Sequence, residues 1–181
     1  RQIAIWSKQY RMSETEKIPA MEQLIAELPG KFEDAQTLPH TVIHGDFRLD
    51  NMIIDHEMNV AALIDWELST LGPAFVDLSY WCAMLRMQHD WPISGLGGIN
   101  RYPLGIPEEA QIIDAFCLGT GLERPAHWEY WIAFQLFRFA AILQGVKKRN
   151  IDGNASAKNA AAVGNQAAPV AALGAHILDR L

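Results

Sequence analysis

The sequence predicts an α+β fold that is mostly helical, with a small antiparallel β-ribbon carrying its functional loop. Apolar residues recur at helical spacing in long stretches, as in Ile3, Trp6 and Tyr10, or Trp128, Trp131, Ile132 and Leu136. Short apolar runs of strand length cluster instead between Thr41 and Ile64, around a polar octet. Half of the 181 residues are hydrophobic and 20% are charged, a balance that lets one domain bury a sizeable core.

The elements follow in order. Helical spacing covers Arg1 to about Met12, and a second helix starts at Pro19, a residue suited to a first turn, and ends at Leu28 before Pro29-Gly30. Gly30-Lys31 lacks the rest of a G-x-x-x-x-G-K-S/T pattern and is no phosphate loop. Thr41-Val42-Ile43 enters the octet as a strand, and Met52-Ile53-Ile54 leaves it as another. Asp55-His56-Glu57-Met58-Asn59 is polar enough to turn the chain, so Val60 to Ile64 returns antiparallel. That ribbon starts one strand at Asn51 and ends its partner at Asp65.

Beyond the ribbon the pattern is helical again. Pro73 to about Met87 carries a core stripe of Phe75, Leu78, Trp81, Cys82 and Leu85. Gln88 to Gly105 is rich in Gly and Pro and reads as a long loop on the substrate face, with Gly95-Leu96-Gly97-Gly98 as a mobile surface segment. Pro107-Glu108-Glu109 opens a helix with acids at its positive end, stopped by Gly119 and Gly121. After Arg124-Pro125, an aromatic-rich amphipathic helix runs to Lys147-Lys148-Arg149, bases that suit its negative end. Residues 152–169 are rich in Ala, Asn and Gly and predict an irregular or weakly helical link before a closing helix from Val170 to Leu181.

Charge narrows the function classes. With 21 acidic and 15 basic residues the net charge is -6, which argues against a nucleic-acid surface. Cys82 and Cys117 lack zinc spacing and read as buried, reduced thiols. No run of 18 or more apolar residues and no signal-like segment is present, so the expected location is cytoplasmic, away from membranes.

The octet His44-Gly45-Asp46-Phe47-Arg48-Leu49-Asp50-Asn51, followed fourteen positions after Asn51 by Asp65, carries the chemistry. Phosphoryl transfer asks its protein to orient an attacking oxygen and to neutralise phosphate charge. A carboxylate such as Asp46 suits the first task; the Asn51 amide oxygen and the Asp65 carboxylate, as hard ligands for Mg²⁺ bridging nucleotide phosphates, suit the second. Two other readings use the same residues. One is a metal-dependent hydrolase with His44, Asp46 and Asp65 as direct ligands. The other is a non-catalytic binding module.

The ordered elements H-G-D-x-x-x-x-N, I-D-W-E, Gly72-Pro73 and Asp77-Leu78 resemble the catalytic half of the aminoglycoside phosphotransferase and choline kinase-like enzymes, small-molecule relatives of protein kinases. R-Q-I-A-x-W-S-K-Q-Y-R at the start and I-D-W-E-L-S-T-L-G-P look most similar to the kinase-like domains associated with acyl-CoA dehydrogenases. The resemblance implies ATP as phosphoryl donor, Mg²⁺ as cofactor, and a small-molecule hydroxyl acceptor, hydroxyacyl-CoA esters included. It implies Asp46 as catalytic base, Asn51 and Asp65 as metal and nucleotide ligands, His44 as loop organiser, and Asp77 as a brace behind the loop. Arg48 steadies phosphate or pairs with a neighbour, and Glu67 backs the metal site or touches substrate. It further implies that residues 1–181 are the larger, C-terminal lobe of a two-lobed enzyme. The stretch before His44 reads as helical, unlike the β-rich nucleotide-binding lobe such enzymes require.

Overall fold

One helix, Trp128–Ile151, organises the molecule, and every residue from Trp131 to Ala141 within it is buried. A helix apolar around its whole circumference must be wrapped by others. In the computed structural model, which describes residues 2–31, 38–155 and 157–181, the elements in chain order are α1 (Gln2–Ser13), α2 (Pro19–Glu27), β1 (His40–Ile43), β2 (Met52–Ile54), β3 (Val60–Leu63), β4 (Thr70–Pro73), α3 (Phe75–Arg86), α4 (Glu109–Thr120), α5 (Trp128–Ile151), α6 (Ala160–Gly164) and α7 (Ala167–Leu178). Helices α1, α3, α6 and α7 all pack on α5. No described helix is long and apolar enough to cross a membrane.

The packing follows from the apolar spacing. Tyr10 of α1 and Met21 and Leu24 of α2 are fully buried, with Ile3 and Trp6 packed against the same core. Gly164 lets α6 cross close to α5, because a Cβ there would sit 2.7 Å from the Lys147 Cα. The Gln144 side chain, fully buried on α5, donates to the Ser13 carbonyl at 3.1 Å and the Thr15 hydroxyl at 2.6 Å, tying down the chain after α1. Buried amides need such partners.

The ribbon forms where the short apolar runs placed it. Strands β2 and β3 pair antiparallel, Met52 opposite Leu63 and Ile53 opposite Ala62, with an irregularity before Ile54. Asp55 closes the turn by accepting the Glu57 and Asn59 N–H groups at 2.9 and 2.8 Å. A second antiparallel pair, β1 with β4, joins the chain before the octet to the chain after Asp65.

Several expectations are corrected. Pro73 ends a strand, Thr70–Pro73, rather than starting a helix: it lies opposite His40, and α3 begins only at Phe75. Helix α4 runs through Gly119, which meets nothing within 4 Å, and stops at Gly121, whose φ of +72° is left-handed. The segment 152–169 contains α6 and the first turn of α7, so the closing helix starts at Ala167. The expected helix start at Arg1 lies outside the described residues. Cys82 is buried, but Cys117 is only half-buried, and burial pushes the Cys82 thiol up to about 12.

The glycine run after α3 is pinned rather than free. Gly97 N–H donates to the Met87 carbonyl at 2.7 Å and Gly95 N–H to the Gln88 carbonyl at 3.1 Å. A Cβ at either glycine would collide with carbonyls at the end of α3, so the close approach requires glycine. Buried Gln166 then clamps Ile93, accepting its N–H at 2.9 Å and donating to its carbonyl at 2.8 Å. Gln166→Leu is expected to lower stability by about 2 kcal/mol in urea unfolding, since it orphans both groups of one peptide residue. Hydrogen exchange at the Ile93 amide should quicken beyond that global loss.

Candidate functional site

The octet is a loop whose first backbone groups are held by side chains from α3 and α5. From the first turn of α3, Asp77 accepts the His44 N–H at 2.7 Å through Oδ2 and the Gly45 N–H at 2.9 Å through Oδ1. From the middle of α5, the Arg138 guanidinium donates through Nη2 to the Gly45 carbonyl. Gly45 has a φ of +82°, and any Cβ would run into the Leu68 carbonyl. Only glycine fits there.

His44 is 2% exposed and works inward. The Asp46 N–H donates to its Nδ1 at 3.3 Å, which leaves the ring proton on Nε2, donated to the Ile64 carbonyl at 2.9 Å. Ile64 is held at its other end too, its N–H donating to the Asn51 carbonyl at 3.0 Å. Asp65 thus leaves a residue fixed to both ends of the octet. With a φ of 64° and ψ of 57° it is one of two described non-glycine residues in the left-handed region, the other being the turn residue Met58. Trp66 packs its ring 4.6 Å from that of His44 and donates from Nε1 to the Leu63 carbonyl at 2.9 Å. Phe47 continues the aromatic contact to Trp81 at 5.8 Å.

Asn51 and Asp46 are joined directly. The Asn51 amide donates from Nδ2 to the Asp46 carbonyl at 2.9 Å and to its carboxylate Oδ2 at 3.0 Å. Both contacts use the amide nitrogen, so Oδ1 remains as an oxygen donor, and Asp65 presents an exposed carboxylate. Amide and carboxylate oxygens are hard ligands, the donor set Mg²⁺ accepts. They do not suit the hydrolase alternative: both His44 ring nitrogens are engaged by the backbone. Among the described residues no group of three or more His, Cys, Asp or Glu is arranged to hold a metal.

The remaining candidates lie at the edge. Arg48 pairs with its neighbour Asp50, Nε donating to Oδ2 at 2.9 Å. Burial works against its charge, but Asp50, with Tyr80 and Asp46, outweighs it and the guanidinium is held up. Glu67 sits exposed on a 3-10 turn, Trp66–Leu68, directly after Asp65.

Two residues that touch this loop escaped the sequence reading. Arg138 is 7% exposed, and its guanidinium carbon lies 5.3 Å from the Trp6 ring and 5.4 Å from the Tyr80 ring. Desolvation lowers its pKa, while the Asp46 and Asp77 charges act to keep it protonated. Tyr80, on α3, is pushed up to about 12, first by burial and then by the Asp46 charge, so it stays a neutral phenol. The signal was a lone cation inside the apolar run from Trp131 to Leu143; buried cations need a reason.

The chain is similar to known proteins. A sequence model described as a phosphotransferase enzyme family matches residues 1–128. The chain is similar to acyl-CoA dehydrogenase family member 10 from Mus musculus, 44% identical over 88% of this chain and 15% of that protein. It is also similar to acyl-CoA dehydrogenase family member 11 from Homo sapiens, 33% identical over 99% of this chain and 23% of that one. A crystal structure from Ralstonia eutropha, provisionally assigned as an aminoglycoside phosphotransferase, superposes with a TM-score of 0.91 at 40% identity, over 99% of this chain and 55% of that chain. The chain thus spans under a quarter of these curated relatives and about half of that structure.

Gly45→Ala tests the loop's backbone. It is expected to destabilise the fold by about 3 kcal/mol, from the positive φ and the collision with Leu68 together. Thermal unfolding beside Gly30→Ala, whose Cβ meets nothing within 4 Å, separates this from a generic glycine effect.

Proposed function

Because the chain belongs to the phosphotransferase enzyme family, we propose that it moves the γ-phosphate of ATP to a hydroxyl of a small molecule, with Asp46 as the group that orients the acceptor. The observation that carries this reading is the Asn51 amide, whose nitrogen is spent on Asp46, in a residue whose backbone carbonyl accepts the Ile64 N–H and so lies beside the chain that delivers Asp65.

Each residue then has one task. Asp46, half-buried, accepts a hydrogen bond from the acceptor hydroxyl and takes its proton as the phosphoryl group is transferred. Asn51 and Asp65 are the residues that would hold Mg²⁺, which when bound offsets the charge of the nucleotide phosphates. His44 and Asp77 touch no substrate; they keep the loop and Ile64 in register.

The acceptor is a small alcohol, and the relatives named as acyl-CoA dehydrogenases support the hydroxyacyl-CoA class. The chain is the catalytic lobe, with a nucleotide-covering lobe supplied by sequence outside it. Coverage of 55% of the Ralstonia chain supports this, as does the helical character of α1 and α2.

Phosphoryl transfer from ATP·Mg²⁺ by the intact protein, assayed against hydroxyacyl-CoA esters, choline and an aminoglycoside, tests the reading. Asp46→Asn is expected to lower kcat by about 10²–10⁴ with the fold intact. Asp65→Ala should abolish the response to Mg²⁺, and turnover retained by both variants would overturn the assignment.

A further inference from the structure

We propose that Arg138 is a positioning residue of the phosphotransfer site: its guanidinium, braced between the rings of Trp6 and Tyr80, grips the Gly45 carbonyl and so fixes the peptide plane from which Asp46 projects. The inference rests on the role given to Asp46 above and adds a residue that lies 93 positions away in sequence.

The geometry argues it in steps. The Gly45 carbonyl belongs to the same peptide as the Asp46 N–H, and that N–H donates to His44 Nδ1. Arg138 and His44 therefore hold opposite edges of one plane, while Asp77 holds the N–H of Gly45 just before it. Rotation of that plane would swing the Asp46 carboxylate away from Asn51, its partner at 3.0 Å. Gly45 has no side chain to resist the rotation, and at a φ of +82° glycine has broad torsional freedom. The restraint has to come from outside the loop.

Arg138 is itself restrained. Its Nη1 donates to the Gln135 side-chain oxygen at 3.5 Å, and Gln135 in turn donates to the Val76 carbonyl at 2.8 Å and the Ser79 hydroxyl at 3.0 Å. The same turn of α3 carries Asp77. Helix α5 thereby fixes the distance between the loop and the helix that braces it. Trp6 brings α1 into the same contact, so a charge buried at 7% exposure connects three helices to one peptide.

The test uses the intact protein with ATP·Mg²⁺ as the probe, and compares wild type, Arg138→Met, Arg138→Lys and, as the control for the underlying reading, Asp46→Asn. Arg138→Met keeps length and removes the fork. It is expected to lower kcat about 100-fold, the scale of a misplaced catalytic group, with KM for ATP·Mg²⁺ within threefold. The Asp46 amide should exchange with solvent at least about tenfold faster than in wild type, beyond any change in global stability, since its partner plane is loosened. A residue that only filled space would change melting temperature and leave both quantities of the folded enzyme untouched.

Arg138→Lys keeps the cation but cannot lie flat between two rings or reach as a fork, so it should restore little. Where Arg138→Met fails to fold, the lysine variant is read by the same two quantities. An unchanged kcat or an unchanged Asp46 amide in the folded variant overturns the proposal. Full activity in Asp46→Asn instead overturns the role of Asp46 itself, whatever Arg138 does.

Discussion

Everything at this site hangs from the peptide joining Gly45 to Asp46. Its N–H meets His44, its carbonyl meets Arg138, and the N–H one residue earlier meets Asp77. Hydrogen bonds to charged groups contribute roughly 1.5–3 kcal/mol each, so the two charged partners here far outweigh the torsional freedom of one glycine. The consequence reaches forward along the chain. His44, held by Asp77 through its own N–H, passes the constraint to Ile64, and Ile64 passes it to Asp65. A rigid peptide therefore sets both carboxylates, although they are nineteen residues apart in sequence.

The buried polar stripe of α5 makes sense only in this light. Gln135, Arg138 and Gln144 occur in a stretch of α5, Trp131 to Gln144, that is otherwise apolar, and desolvating a guanidinium costs several kcal/mol before any partner is counted. Two ring faces, a carbonyl and an amide oxygen offset that cost. Packed apolar side chains of similar volume could match or exceed the resulting stability. What they could not supply is direction: a donor fork aimed at one carbonyl. Stability alone gives no reason for an arginine at this point, whereas orientation does.

The octet and the ribbon were legible because their information is local. Spacing between His44 and Asn51, a polar turn at Asp55 to Asn59, and an apolar return to Asp65 need no knowledge of the rest of the chain. The helices α1, α2 and α5 were legible for the same reason, through periodicity. What escaped depends on distant partners. Thr70-Leu71-Gly72-Pro73 contains two strand-breaking residue types and becomes a strand only because β1 lies alongside. Gly95 and Gly97 looked like a flexible run, yet the end of α3 fits against them because they have no Cβ. Gly119 tells the opposite story: exposed and unopposed, it costs too little to stop α4 before Gly121 does. Arg138 was visible as an oddity in an apolar run, but its target lies across the fold.

The site is also asymmetric in what it buries and what it exposes. On the helix side, His44, Tyr80 and Arg138 are buried, and the His44 and Arg138 side chains are hydrogen-bonded to backbone carbonyls. On the ribbon side, Ile53, Ile64, Asp65, Trp66 and Leu68 are exposed. On the proposed function, a phosphate arriving on the helix side would have to break hydrogen bonds that orient the loop, whereas the Asp65 carboxylate stands exposed on the ribbon side. Stiffness behind the loop and an exposed carboxylate in front of it are thus two results of one arrangement, in which α5 commits its only interior cation to the Gly45 carbonyl.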